Sequence, residues 1–211
     1  MTKFFLKAKH WQLFLLIFVV PITFQMLLLI GVFTSILTAE ANGQEPNPFV
    51  IFEYIKWFPL VMIFYVGTYY GWFWTIGTRM QPLVPHDVKL KVTRFKVLLL
   101  VPIIYLSVAM VLLVFIFNTF NPAGIEPGNV PDLRLLPLLM IIVIPVHFFA
   151  MFCIFHSMYF VAKTIKTVEL QREVSFGDFA GEFFLLWFYF IGIWILQPKI
   201  NKMAETLEAK G

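Results

Sequence analysis

The chain has 211 residues, of which 60% are hydrophobic and 13% charged. A soluble domain carries about 25% charged residues; here the deficit lies in long unbroken apolar runs, which excludes an ordinary soluble domain and points to a small bundle of membrane helices. The formal net charge of +4 sits at the ends of those runs and forms no basic surface, which excludes nucleic acid as a partner, and the single cysteine, Cys153, excludes an intrachain disulfide.

A helix needs about 20 apolar residues to cross a hydrocarbon layer of about 30 Å. The first run to qualify is 11–37, with Pro21 and Gln25 inside it. It follows Lys3, Lys7 and Lys9 and precedes Ala39-Glu40-Ala41, an arrangement that resembles a cleaved secretion signal. A signal core is only about 7–15 residues long, so the expectation is an uncleaved span. A turn-rich loop, AEANGQEPNPF, leads to the second span, 57–78. The basic loop MQPLVPHDVKLKVTRFK follows, with Leu90, Val92 and Phe95 suited to the headgroup region, and then the third span, 97–117. A second turn-rich loop, NPAGIEPGNVPDLR, precedes the fourth span, 135–162, which contains Pro137 and Pro145. None of these runs alternates, and all are too long for spanning strands.

The last apolar segment, 183–197, has fourteen apolar residues between Glu182 and Gln197. At 1.5 Å per residue they reach only about 21 Å, a length typical of interfacial or re-entrant segments. Ser175-Phe176-Gly177-Asp178 has the form of a helix start, and a helix begun there is long enough to cross if Asp178 and Glu182 stay at headgroup level. Length and charge favour the non-spanning alternative. The expected fold is therefore an all-α membrane protein: one integral-membrane helical domain over 1–198, built from four transmembrane helices and a short fifth hydrophobic segment, re-entrant or interfacial. Residues 199–211 form a cytoplasmic tail. Its Ile200, Met203 and Leu207 fall on one helical face, which suits either an amphipathic helix on the leaflet or a frayed end.

Lysine and arginine set the orientation. They occur at the N-terminus, at Arg79, Lys89, Lys91, Arg94 and Lys96, and at Lys163, Lys166 and Arg172. The two intervening loops hold Glu40, Glu45, Glu53, Glu126 and Asp132 but only Lys56 and Arg134. The N-terminus is thus expected in the cytoplasm, and four spans return the chain there. Similar openings at Phe58-Pro59-Leu60 and Leu136-Pro137-Leu138 suggest two tandem hairpins as a parallel repeat; such strings also recur in unrelated membrane helices.

Polar groups in hydrocarbon are costly and invite a functional reading. Gln25, Tyr65 and His147 lie at depths that would allow one shared layer of the bundle. Such a layer would serve a transport path, or hold the helices together by hydrogen bonds worth about 0.6–2 kcal/mol each. His147 and His156 fall on opposite helix faces and cannot share a metal or haem. Gly67 and Gly71 form a GxxxG pair suited to close helix packing, within the chain or between copies. No Walker loop, HExxH or GxSxG is present, and none of the three aspartates lies in a span. No enzyme, cofactor or metal site is therefore expected.

Four strings, FLKAKHWQLF, LKVTRFK, KTVELQREVSFGDF and IGIWILQPKIN, resemble an uncharacterised family of small polytopic inner-membrane proteins of Bacteroidota, and the resemblance covers most of the chain. It implies a multi-pass protein of a bacterial inner membrane and no particular activity. In that family a proline often stands at the position of Phe190, where a helix break would suit a segment that enters the membrane and turns back. The expected function is a non-catalytic accessory or scaffold subunit, with the lipid bilayer and a membrane-protein partner or a second copy of the chain as its contacts. The alternative is a small transporter or channel component using the polar layer of Gln25, Tyr65 and His147.

Overall fold

The computed structural model describes residues 2–45, 57–119 and 135–209. The end of the first turn-rich loop, from residue 46 on, and the whole of the second fall outside these residues, as do Met1, Lys210 and Gly211. Every regular element among the described residues is helical. In chain order they are α1 (Thr2–Lys7), α2 (His10–Ala41), α3 (Phe58–Arg79), α4 (Val92–Thr119), α5 (Leu135–Leu170), α6 (Phe176–Trp187) and α7 (Tyr189–Ala209). The helices run past the apolar limits read from the sequence, because a helix continues into the polar layer wherever its backbone bonds are satisfied.

The prolines do not break the spans. Pro21 has no N–H to offer the Ile17 carbonyl, and the turn before it, Leu15–Val19, widens into a π-helix that absorbs the missing bond. Pro102 and Pro145 lie inside the continuous helices α4 and α5.

Among the described residues three helices are long and apolar enough to cross a membrane: His10–Ala41, Val92–Phe115 within α4, and Met140–Leu170 within α5. The fourth expected span is the 22-residue helix α3. Thr68, Tyr69, Tyr70, Trp72 and Thr75 dilute its apolar character, and it does not join that set. Its second half is buried instead, with Trp72, Phe73 and Ile76 at the centre of the core. A helix wrapped by protein has no need of a lipid-like surface all round.

That core sits at one end of the bundle. It collects Phe5 and Leu13 from the N-terminal segment, Phe95 and Leu99 from α4, Val161 and Ile165 from α5, and Phe179, Leu186 and Ile193 from the last two helices. Phe95 stacks on Phe160 with ring centres 4.4 Å apart. Toward the other end, α2, α4 and α5 turn apolar side chains outward, among them Leu27, Phe33, Val111, Phe115, Ile141 and Phe148.

The fifth apolar run is two helices, not one. The capping pair is in place at its start: Asp178 accepts from the Ser175 N–H at 2.8 Å and from its hydroxyl at 3.0 Å. α6 stops at Trp187, Phe188 takes φ −89°, ψ 55°, and α7 begins at Tyr189. The two helices pack against each other as an antiparallel hairpin. Gly192 lies so close to the Leu185 carbonyl that a Cβ there has no room. The stripe Ile200, Met203 and Leu207 on α7 faces the protein's own core, with Ile200 fully buried.

Candidate functional site

The most ordered polar chemistry lies where the N-terminus, the α3–α4 loop, the end of α5 and α7 meet. Gln197 is fully buried there. Its Oε1 accepts from the Trp72 indole N–H at 2.9 Å. Its Nε2, with two N–H groups to share, lies 2.9 Å from both the Phe5 and Ala8 carbonyls and 2.7 Å from Asn201 Oδ1. Asn201, one turn on, donates to the Ala8 carbonyl at 3.2 Å. The end of α1 leaves carbonyls without helical partners, and two amides one turn apart on α7 supply the donors. Phe5 completes the joint: its ring covers Gly71, 2.8 Å from where a Cβ would stand.

Beside this clamp lies a closed ring of charges. Lys166 Nζ is 2.9 Å from Glu169 and 3.2 Å from Glu182; Lys199 Nζ is 3.2 Å from Glu169 and 3.3 Å from Glu182. The Glu182 side chain is only 7% exposed. Two cations against two anions make the ring neutral, which is what allows a carboxylate to be buried. The ring fastens α5 to both arms of the hairpin. Arg172 pairs with Asp178 at 2.8 Å nearby, and Gln171 donates to the Leu83 carbonyl at 3.1 Å, tying the α3–α4 loop to the same end.

The residues that the sequence suggested for a shared polar layer make no contact with one another. His147 Nδ1 is 2.9 Å from the Tyr105 hydroxyl, so its partner is on α4. Tyr65 stacks on Tyr69 and meets the ring of Tyr189 on α7. Gln25 is exposed on α2. No hydrogen bond or ring contact joins any two of Gln25, Tyr65 and His147. Counting residues gave each one's depth but not the direction in which it points. The glycine pair divides in the same way. Gly71 seats Phe5, whereas a Cβ on Gly67 would touch nothing within 4 Å. Gly67 instead lines an apolar groove of about 560 Å³ between α3 and α4, with Met62, Ile63, Leu106 and Met110.

Sequence reasoning missed Gln197, Asn201 and Tyr105. The one visible sign of the first two was a pair of amides four residues apart in QPKIN, directly after an apolar run. On α5, His156 Nδ1 is a buried polar atom with no partner among the described residues. Among those residues no three His, Cys, Asp or Glu side chains gather as around a metal ion. No family model, curated protein or solved structure matches this chain.

Proposed function

We propose that the protein is an integral component of a bacterial inner membrane, with both described chain ends in the cytoplasm, acting as a non-catalytic accessory or scaffold subunit. The observation that carries this reading is the dispersal of Gln25, Tyr65 and His147 onto separate faces, while the groove between α3 and α4 is lined almost wholly by apolar side chains. A path for a polar solute needs polar groups that converge; a subunit that works by contact needs exposed apolar surface, and α2, α4 and α5 carry it.

The proposed topology is supported by which segments share an end. Residues 5–8, the loop at Leu83, and the ring of Lys166, Glu182 and Lys199 are tied to one another directly or through α7 and α5. α2 leaves that end and α3 returns to it; α4 leaves and α5 returns. If α2 crosses the bilayer, α3 crosses as well, which makes four spans despite its mixed surface. The lysines and arginines concentrated at this end support reading it as the cytoplasmic one.

The hairpin of α6 and α7 then enters one leaflet and comes back. From Glu182 to Phe188 is about 9 Å of helix, and from Tyr189 to Lys199 about 15 Å. Half of a hydrocarbon layer of about 30 Å is comparable. Its tip is apolar and exposed at Phe184, Trp187, Phe188, Phe190 and Ile191.

Purification in mild detergent tests the function, with a stoichiometric membrane-protein partner or self-assembly expected. Solute uptake by vesicles holding the purified protein alone, abolished by His147→Phe, would replace the scaffold reading with transport. A reporter active only in the periplasm, fused to either terminus, is expected to stay silent; a signal from the C-terminal fusion alone would mean that the last segment crosses.

A further inference from the structure

We infer that α2 pairs with α2 of a second copy of this chain through Gln25. The inference rests on the reading of α2 as a membrane span and names the partner that the scaffold reading leaves open.

α2 is a helix of 32 residues, and only 11% of its most apolar stretch is buried within the protein. Gln25 stands at its midpoint, about 24 Å of helix from Ala41 and about 22 Å from His10. The side chain is exposed and makes no hydrogen bond with the described residues. The threonines farther along behave differently. Thr34 and Thr38 return their hydroxyls to the carbonyls of Ile30 and Thr34, each at 2.7 Å, and so are satisfied inside the helix. A glutamine amide carries two donors and an acceptor, and hydrocarbon offers a partner to none of them.

The neighbours of Gln25 form a seam. Ile22, Gln25, Leu29, Val32 and Ile36 follow one another at spacings of three, four, three and four, the pattern that packs two parallel helices along a common line. Ile22 and Leu29 are exposed at 41% each, and Val32 and Ile36 are half-buried. In a parallel two-fold pair, positions of one such seam meet their own copies, so Gln25 faces Gln25. The primary amide is its own complement: the N–H of each donates to the C=O of the other. A second copy in the same bilayer has the same orientation and brings the amide to the same depth, which an unrelated helix does only by coincidence.

The test uses the full chain in phospholipid vesicles with Cys153→Ala as background, since Cys153 is the one native thiol. Mild oxidation is expected to give a disulfide-linked dimer with Gln25→Cys and with Leu29→Cys, but not with Leu27→Cys on the opposite face. Absence of dimer at position 25, or equal yield at all three positions, overturns the pairing. Energy transfer between labelled copies gives an independent measure: Gln25→Leu is expected to weaken self-association about tenfold, and Gln25→Asn to preserve most of it. Unchanged association of the leucine variant also overturns it. A membrane-impermeant maleimide, applied to the Gln25→Cys variant in intact vesicles, separates the two levels of the argument. Modification of its thiol rejects the span itself; a protected thiol on a monomeric chain rejects only the pairing.

Discussion

Gln197 and Ala8 are 189 positions apart, yet the Gln197 amide donates to the Ala8 carbonyl at 2.9 Å. The same side chain accepts from Trp72, so one amide joins the N-terminal turn, α3 and α7. Removing it leaves a buried indole N–H and at least one buried carbonyl without partners. An unsatisfied buried group costs about 1–3 kcal/mol. Gln197→Leu is therefore expected to destabilise the protein by about 2–4 kcal/mol, read as a lower thermal midpoint in detergent. Asn201→Ala, which removes a longer bond at a part-buried site, is expected to cost less than half as much. Equal effects of the two substitutions would mean that Gln197 is not the centre of the joint.

Glu182 gives a second prediction. Its carboxylate is almost fully buried, but its lysine partners are 19% and 35% exposed, so solvent screens part of the attraction. Glu182→Ala leaves Lys166 and Lys199 to share Glu169 alone, with one positive charge in excess, and is expected to cost about 2–3 kcal/mol, below the range for a fully buried pair. Lys199→Ala leaves Lys166 in place and is expected to cost about 1 kcal/mol. The double variant should be more stable than the sum of the two single losses, because the second substitution removes the positive charge that the first left in excess. Strict additivity in chemical unfolding would argue against a shared ring.

The sequence made the helices legible because their signals are local. Runs of apolar residues, the Ser175 to Asp178 start and the shortness of the fifth segment are each contained within short stretches of chain. The point at which the last segment turns was not legible. Phe188 is neither proline nor glycine, and the turn is permitted by Gly192, four residues later, where the opposing carbonyl of Leu185 needs the space. The polar layer was half legible. Depth along a helix follows from counting, but Gln25, Tyr65 and His147 point in directions set by how the helices pack, and Tyr105 rather than either of the others meets His147. Of the Gln197 clamp only the amide pair of QPKIN was visible, because its partners Phe5, Ala8 and Trp72 are more than a hundred positions away.

The hairpin supplies a third prediction, from one disruptive and one tolerated substitution. Gly192→Leu forces a side chain into the Leu185 carbonyl and is expected to open the turn, at a cost of at least about 1–3 kcal/mol. Phe190→Pro is expected to be nearly neutral. Phe190 is the second residue of α7, where the first-turn N–H groups have no helical acceptor and a proline ring fits the backbone. Limited proteolysis near residue 188 reads both: faster cutting in the leucine variant, unchanged cutting in the proline variant. Rapid cutting of the proline variant would show that α7 does not start where its backbone places it.

The start of α6 supplies the last prediction, one of pH. The Arg172 guanidinium, 2.8 Å from Asp178 Oδ1, holds the Asp178 carboxyl at about 2, helped by the N–H and hydroxyl of Ser175. An unfolded aspartate titrates near 3.9. Because the folded value is the lower one, the carboxylate adds stability that is complete above roughly pH 5 and is lost as the pH falls through the folded value. Thermal midpoints of the native chain and of Asp178→Asn are therefore expected to differ by a constant gap from about pH 7 to pH 5, and the gap should narrow steadily toward pH 2. Other carboxylates lower both curves in acid, but only Asp178 changes the distance between them. A gap that persists undiminished at pH 2 would show that the residue acts through its shape at the helix start and not through its charge.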